Sequence, residues 1–200
     1  MLQFILDNSV FMVVGLYLLI NIIKLTSRPV GRMPRMDMQM KDLRVLITAG
    51  ANGIGKATAL AFRAEGARVH ICDVDEKAME ALKNQDPAIT TSFCDVSDRA
   101  QVSALFQTVE KELGGLDCLV NNAGIGSPVR GDFLTLQPQD FDTIMGINLR
   151  GTVFFTQSVL KHMLQNSPTS HPRAILMITS VSAEMSSPER LDYCMSKAGL

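Results

Sequence analysis

The sequence has no internal repeat, no C-x-x-C pair, no histidine spacing suited to a metal and a net charge of only -1. Each absence closes a class. Without a charge excess nothing draws the chain to nucleic acid or to an anionic surface. The three histidines, His70, His162 and His171, are scattered, so no metal site is expected. Cys72, Cys94, Cys118 and Cys194 are equally dispersed, and three of them fall in or beside expected strands. They read as reduced, buried thiols in a cytosolic environment. Two hundred residues without a repeat suggest one domain, and a hydrophobic content of 46% allows it a substantial core.

The first residues also lack something. The run 10–23 is nearly all apolar, broken by Gly15, Tyr17 and Asn21, and no lysine or arginine precedes it. No small-residue cleavage site is evident, which argues against a secretory signal. The run is shorter than the ~20 residues that span a bilayer comfortably. Lys24, Arg28, Arg32 and Arg35 come directly after it. Two readings stay open. In one, 10–23 is a membrane anchor on an N-terminal extension, 1–39, and the basic residues hold the domain beyond it in the cytoplasm. In the other, the segment is not native, and Met33, Met36, Met38 or Met40 is the true start.

What is present organises the rest. Arg44 to Gly55, RVLITAGANGIG, reads as a buried strand at 45–47 running into a glycine-rich turn. The turn opens a helix at 56–62 that ends near Gly66. Gly50, Gly53 and Gly55 let a ligand approach the backbone and let the helix sit tight on the strand. Asn52 and Ile54 stand between them. The free amides and positive dipole end of that helix suit a pyrophosphate. A second apolar run, 69–72, ends in Asp73, about 20 residues after Gly55, the distance at which an acid reaches the ribose hydroxyls of NAD. A bare glycine pattern is equally a plain turn. The strand before it, the helix after it and the acid beyond favour dinucleotide binding. Neither Asn52 nor Val74 offers the positive charge that NADP would need, so NAD is expected over NADP.

Strands and helices then alternate. A helix is expected at 76–83 and a strand at 90–94, followed by Asp95 and Val96. Ser97 is expected to cap the next helix, where Val102, Leu105, Phe106, Val109 and Leu113 share one face. Gly114 and Gly115 stop it. A strand at 116–120 leads into Asn121, Asn122, Ala123 and Gly124. A long helix is expected over 138–165, with Asn148 and Gly151 inside it, and a strand over 173–179 just before Ser180. A loop with Pro188 and a helix bearing Tyr193 and Lys197 close the chain. This alternation means a parallel sheet covered on both faces, a doubly wound α/β domain over 40–200.

Tyr193 and Lys197 are four apart, so a helix puts them on one face. An ammonium beside a phenol favours the phenolate, which makes a tyrosine usable as an acid or base. Ser180 follows the fifth strand, at the sheet edge where ligands of such folds bind. Alone, a Tyr-x-x-x-Lys pair is more often a solvated helix face. Here it follows a dinucleotide turn and a strand ending in serine.

With the glycine turn, Asp95-Val96, Asn121 to Gly124, Asn148, Ser180, Tyr193 and Lys197 all in order, residues 42–200 resemble the short-chain dehydrogenase/reductase family, of the common single-domain type. The resemblance implies a Rossmann-like fold and an NAD-dependent oxidoreductase that interconverts a secondary alcohol and a ketone. Tyr193 would be the general acid/base, Ser180 would polarise the substrate oxygen, and Lys197 would bind the nicotinamide ribose. Asn148 would hold a water linking Lys197 to solvent; it also reads as a polar helix residue at a kink. Asp95 and Val96 would line the adenine pocket, with Asn122, Ala123 and Gly124 supporting the cofactor. The resemblance leaves the substrate open among 3-oxoacyl, sugar or polyol, and steroid-like carbonyls. It also implies a homo-oligomer, dimer or tetramer, for the full-length form.

Two departures stand out. The family usually has glycine directly after the threonine of the turn, whereas Ala49 holds that place here, so the backbone at this point is expected to avoid conformations that only glycine takes easily. The fold also needs a sixth strand in the order 3-2-1-4-5-6, while five are counted. The sheet is therefore expected to be truncated after the fifth strand, leaving 173–179 as an apolar edge. The 200-residue form is expected to be inactive, and a nucleotide-binding protein without turnover is the rival reading.

Overall fold

The computed structural model describes residues 38–165 and 171–200. The run 10–23 lies outside them. Among the described residues no helix is long and apolar enough to cross a membrane.

Five strands form one parallel sheet in the order β3-β2-β1-β4-β5. They are β1 (Arg44–Thr48), β2 (Arg68–Asp73), β3 (Thr90–Phe93), β4 (Cys118–Asn121) and β5 (Ala174–Met177). The central strands are apolar on both faces because helices cover both. On one side Val45 and Ile47 of β1 pack with Val69 and Ile71 of β2 beneath α1 (Gly53–Ala64) and α2 (Glu76–Gln85). On the other side Leu46, Cys72 and Leu119 meet α3 (Arg99–Leu113) and α5 (Thr152–Gln165). The expected stripe on α3 is the buried one at Val102, Leu105, Val109 and Leu113, with Phe106 at its margin. All four cysteines are free and buried. The expected architecture, a Rossmann-like doubly wound sheet, is the one observed.

Two local expectations are corrected, on Ser97 and on β5, and the long helix is observed over its expected bounds. Ser97 does not cap α3. The carboxylate of the next residue, Asp98, accepts from the amides of Ala100 at 2.8 Å and Gln101 at 3.2 Å. The Ser97 hydroxyl is drawn away to Asp95, to which it donates at 2.7 Å. The long helix at 138–165 is one unbroken run in three parts: α4 (Pro138–Ile144), a π-helical segment (Met145–Gly151) and α5. Wider π turns of this kind recur at functional sites, and Asn148 lies in the middle of this one. Strand β5 is shorter than 173–179. Ile178 still donates to the Asn121 carbonyl at 2.9 Å, but its own carbonyl leaves the ladder to meet Lys197.

The C-terminal helix α6 (Leu191–Gly199) carries Tyr193 and Lys197. It packs on the π-helical segment and on the short 3-10 turn Val181–Ala183 that comes after β5.

Candidate active site

The glycine turn is shaped by β4. The Thr48 hydroxyl, at the end of β1, accepts from the amides of Asn122 at 3.0 Å and Ala123 at 2.9 Å. The Asn122 side-chain amide donates back to the carbonyls of Thr48 at 3.0 Å and Ala49 at 2.9 Å. Ala49 adopts φ +49°, in the left-handed region, which corrects the expectation for this residue. The reason lies behind the turn. A Cβ on Gly55 would come within 2.1 Å of the Ala49 carbonyl oxygen and 2.6 Å of Asn122 Nδ2. Helix α1 therefore starts in contact with the turn, and the Ala49 peptide must swing to meet Asn122.

The first turn of α1 is open. Asn52, Gly53 and Ile54 are exposed, Asn52 makes no side-chain capping bond, and no acidic residue stands in the first turn. Its outward amides are free to meet an anion. Asp73, at the end of β2, accepts from the Ala51 amide of the turn at 2.9 Å and from the amides of Val74 at 2.8 Å and Asp75 at 3.1 Å. An acid is thereby fixed beside the glycine turn. Gly50 is the close-packing glycine: a Cβ there would sit 2.5 Å from Ile71 Cβ on β2. The Asp95 carboxylate accepts from the Ser97 amide at 2.8 Å, and Val96 is buried. These two form the floor beyond Asp73.

Just past the C-terminal end of β5, Lys197 is 5% exposed, and its Nζ donates to the Ile178 carbonyl at 2.9 Å. Burial pulls its pKa down from the ordinary lysine value. Its ammonium lies 5.9 Å from the centroid of the Tyr193 ring. Asn148 is fully buried and its side chain is spent. Its Oδ1 accepts from the Ile125 amide at 2.8 Å, and its Nδ2 donates to the Ile125 carbonyl at 2.9 Å and to Ser196 Oγ at 3.0 Å. Ser196 Oγ donates to the Tyr193 carbonyl at 2.8 Å. A Cβ on Gly124 would lie 3.2 Å from Asn148 Oδ1 and 3.3 Å from Lys197 Nζ, so the end of β4 fits against both groups because it has no side chain there. Ser180 caps the turn Val181–Ala183, its Oγ accepting from the Ser182 amide at 3.1 Å, and its hydroxyl proton is left to offer elsewhere.

Residues 43–200 match the family model described as short chain dehydrogenase. The chain belongs to the short-chain dehydrogenase family. It is 36% identical over 168 residues to a D-threitol dehydrogenase of Mycolicibacterium smegmatis, covering 82% of this chain and 62% of that one. It is 32% identical over 167 residues to a 3-oxoacyl-[acyl-carrier-protein] reductase of Thermotoga maritima, covering 82% and 65%. Among solved structures it resembles a 3-oxoacyl-[acyl-carrier protein] reductase from Brucella melitensis in complex with NAD, with 46% identity, a TM-score of 0.73 and coverage of 80% and 64%. The chain spans a little under two thirds of the length of the curated relatives it matches.

In this short-chain dehydrogenase the expected residues gather in two clusters on the same edge of the sheet, the edge formed by the strands' C-terminal ends. Gly50, Asn52, Gly53, Ile54, Gly55, Asp73, Asp95 and Val96 make one; Gly124, Asn148, Ser180, Tyr193 and Lys197 make the other. Asn122 and Ala123 act from behind the turn through Thr48. Thr48, Ser196 and the Ile178 carbonyl were not singled out in the sequence. Thr48 directly precedes the turn and Ser196 precedes Lys197, but their roles rest on distant partners. Asn122 lies 74 residues from Thr48, and Asn148 lies 48 residues from Ser196.

Proposed function

We infer that the whole protein is an NAD-dependent oxidoreductase that interconverts a secondary alcohol and a ketone. The observation that carries this reading is the buried Lys197 ammonium, held by the Ile178 carbonyl and facing the Tyr193 ring at the sheet edge that also bears the open glycine turn. A dinucleotide would bring the hydride chemistry. The α1 amides would take its pyrophosphate and Asp73 its adenosine ribose, the carboxylate repelling a 2′-phosphate. Tyr193 would move the proton at the substrate oxygen, and Ser180 would donate a hydrogen bond to that oxygen. Lys197 would hold the second ribose with its remaining protons. Asn148, its side chain already committed to Ile125 and Ser196, would act as a positioning residue. It holds the π-helical segment against α6, and any water relaying protons to Lys197 would lie on that segment's backbone.

Polyols and 3-oxoacyl compounds are the first substrates to try, from the names of the relatives. The test is steady-state turnover of the full-length protein with NAD and with NADP on both panels. Tyr193→Phe should lower kcat by about 10²–10⁴-fold while NAD binding stays near wild type. A Tyr193→Phe enzyme with wild-type kcat, or a higher kcat/KM with NADP, would overturn the corresponding part of the reading.

A further inference from the structure

Helix α6 begins without a side-chain cap. Arg190, at its N-cap, makes no such bond, so the Tyr193 amide is one of the first-turn donors that the helix itself leaves unsatisfied. The neighbouring carboxylate meets it: Asp192 Oδ1 accepts from the Tyr193 amide at 2.7 Å. The same oxygen accepts from the Ser127 hydroxyl at 2.5 Å, the length of a charge-assisted bond. Asp192 is 2% exposed, and its Oδ2 is buried with no partner among the described residues. A carboxylate left half-satisfied in the interior costs stability rather than adding to it. What Asp192 contributes therefore lies in what its Oδ1 holds.

Ser127 belongs to a short stretch that meets α6 on both sides of Tyr193. Two residues earlier, the Ile125 amide donates to Asn148 Oδ1, and Asn148 Nδ2 donates to Ser196 Oγ on α6. Gly124 fits against Lys197 Nζ. Residues 124–127 thus hold the helix at Asp192 before the tyrosine and at Ser196 and Lys197 after it. Removing the Ser127 hydroxyl leaves the Asp192 carboxylate with only a bond to its own neighbour.

We propose that Ser127 and Asp192 are positioning residues for Tyr193: through their bond the loop after β4 sets the first turn of α6, and with it the phenol. The inference rests on Tyr193 as the acid/base. A misplacement of about 1 Å at a reacting group can cost about 10²-fold in rate. A released first turn therefore slows turnover, while the glycine turn and Asp73, whose bonds involve neither residue, keep their geometry.

The test is steady-state kinetics of the full-length protein on the better substrate of the two panels above, with kcat expressed per NAD-binding site. Ser127→Ala should lower kcat at least about 10-fold, with KM and NAD affinity near wild type, and Ser127→Thr, which keeps the hydroxyl, should restore it. The double variant Ser127→Ala/Asp192→Asn should be no slower than Asp192→Asn alone, because both changes break one bond. Amide hydrogen exchange resolved at Tyr193 reads the same bond without a substrate. It should speed up in Ser127→Ala while exchange at Leu119 of β4 keeps its wild-type rate, which separates a freed first turn from a general loss of stability. Wild-type kcat in Ser127→Ala, a loss that Ser127→Thr leaves in place, a double variant slower than both single ones, or unchanged exchange at Tyr193 would overturn the proposal. Tyr193→Phe measured alongside tells the two failures apart. If it keeps wild-type kcat, the functional reading falls and takes this inference with it; if it loses activity while Ser127→Ala does not, the positioning role alone falls.

Discussion

Ala49 holds a backbone conformation, φ +49°, that an L-residue enters at a cost of about 1–2 kcal/mol. The two bonds from Asn122 Nδ2 to the Thr48 and Ala49 carbonyls hold it there. Glycine would relieve the strain but carry about 0.5–1 kcal/mol more unfolded-chain entropy. Ala49→Gly should therefore stabilise by about 0.5–1 kcal/mol, seen as a higher urea midpoint at unchanged m; a lower midpoint would mean the turn is unstrained. His70 makes a second residue-scale case. It is fully buried on β2, with Nδ1 2.7 Å from Thr90 Oγ1 and Nε2 2.9 Å from Ser92 Oγ on β3. Burial lowers its pKa to about 4. A folded value below the unfolded ~6.5 means that the unfolded chain binds the proton first. Its contribution is complete above pH ~6.5 and is lost as pH falls through 4, on the order of 3 kcal/mol in all. Urea midpoints across that window should fall more steeply for the wild type than for His70→Gln. Parallel slopes would show that His70 is not the group responsible.

At the scale of elements, sequence reading found each strand and helix by its periodicity and its glycine stops. It misjudged places where a side chain had two local partners to choose from. Ser97 and Asp98 both suit a helix N-cap. The choice fell to Asp98 because Asp95 claims the Ser97 hydroxyl, a contest that residue preference alone does not decide. Asp98→Ala should lower the thermal midpoint more than Ser97→Ala does, and the reverse order would restore Ser97 as the cap. The change of helical winding within the long helix was partly legible, since Asn148 and Gly151 marked the place. Within the π-helical segment Ile125 and Ser196 hold the Asn148 amide, and both partners lie outside this helix and far from it in sequence. Likewise the paired Tyr193 and Lys197 could be read from their spacing, but the Ile178 carbonyl that anchors Lys197 could not.

For the whole molecule, the five observed strands run as the six-strand order 3-2-1-4-5-6 would place them. The two edges differ. Strand β3, TTSF, is largely polar, whereas β5, AILM, is apolar and only partly covered. An apolar edge strand recruits another strand, so the 200-residue chain should self-associate as its concentration rises in sedimentation velocity; a monomer across a wide range would show that β5 is shielded. The bonds that shape the glycine turn join residues 73 and 74 positions apart. On a ribosome adding about 5–20 residues per second, Thr48 and Ala49 wait several seconds before Asn122 exists. The RVLITAGANGIG stretch is thus made early and shaped late. A nascent chain halted before β4 would carry that sequence in full and still be unable to grip a nucleotide.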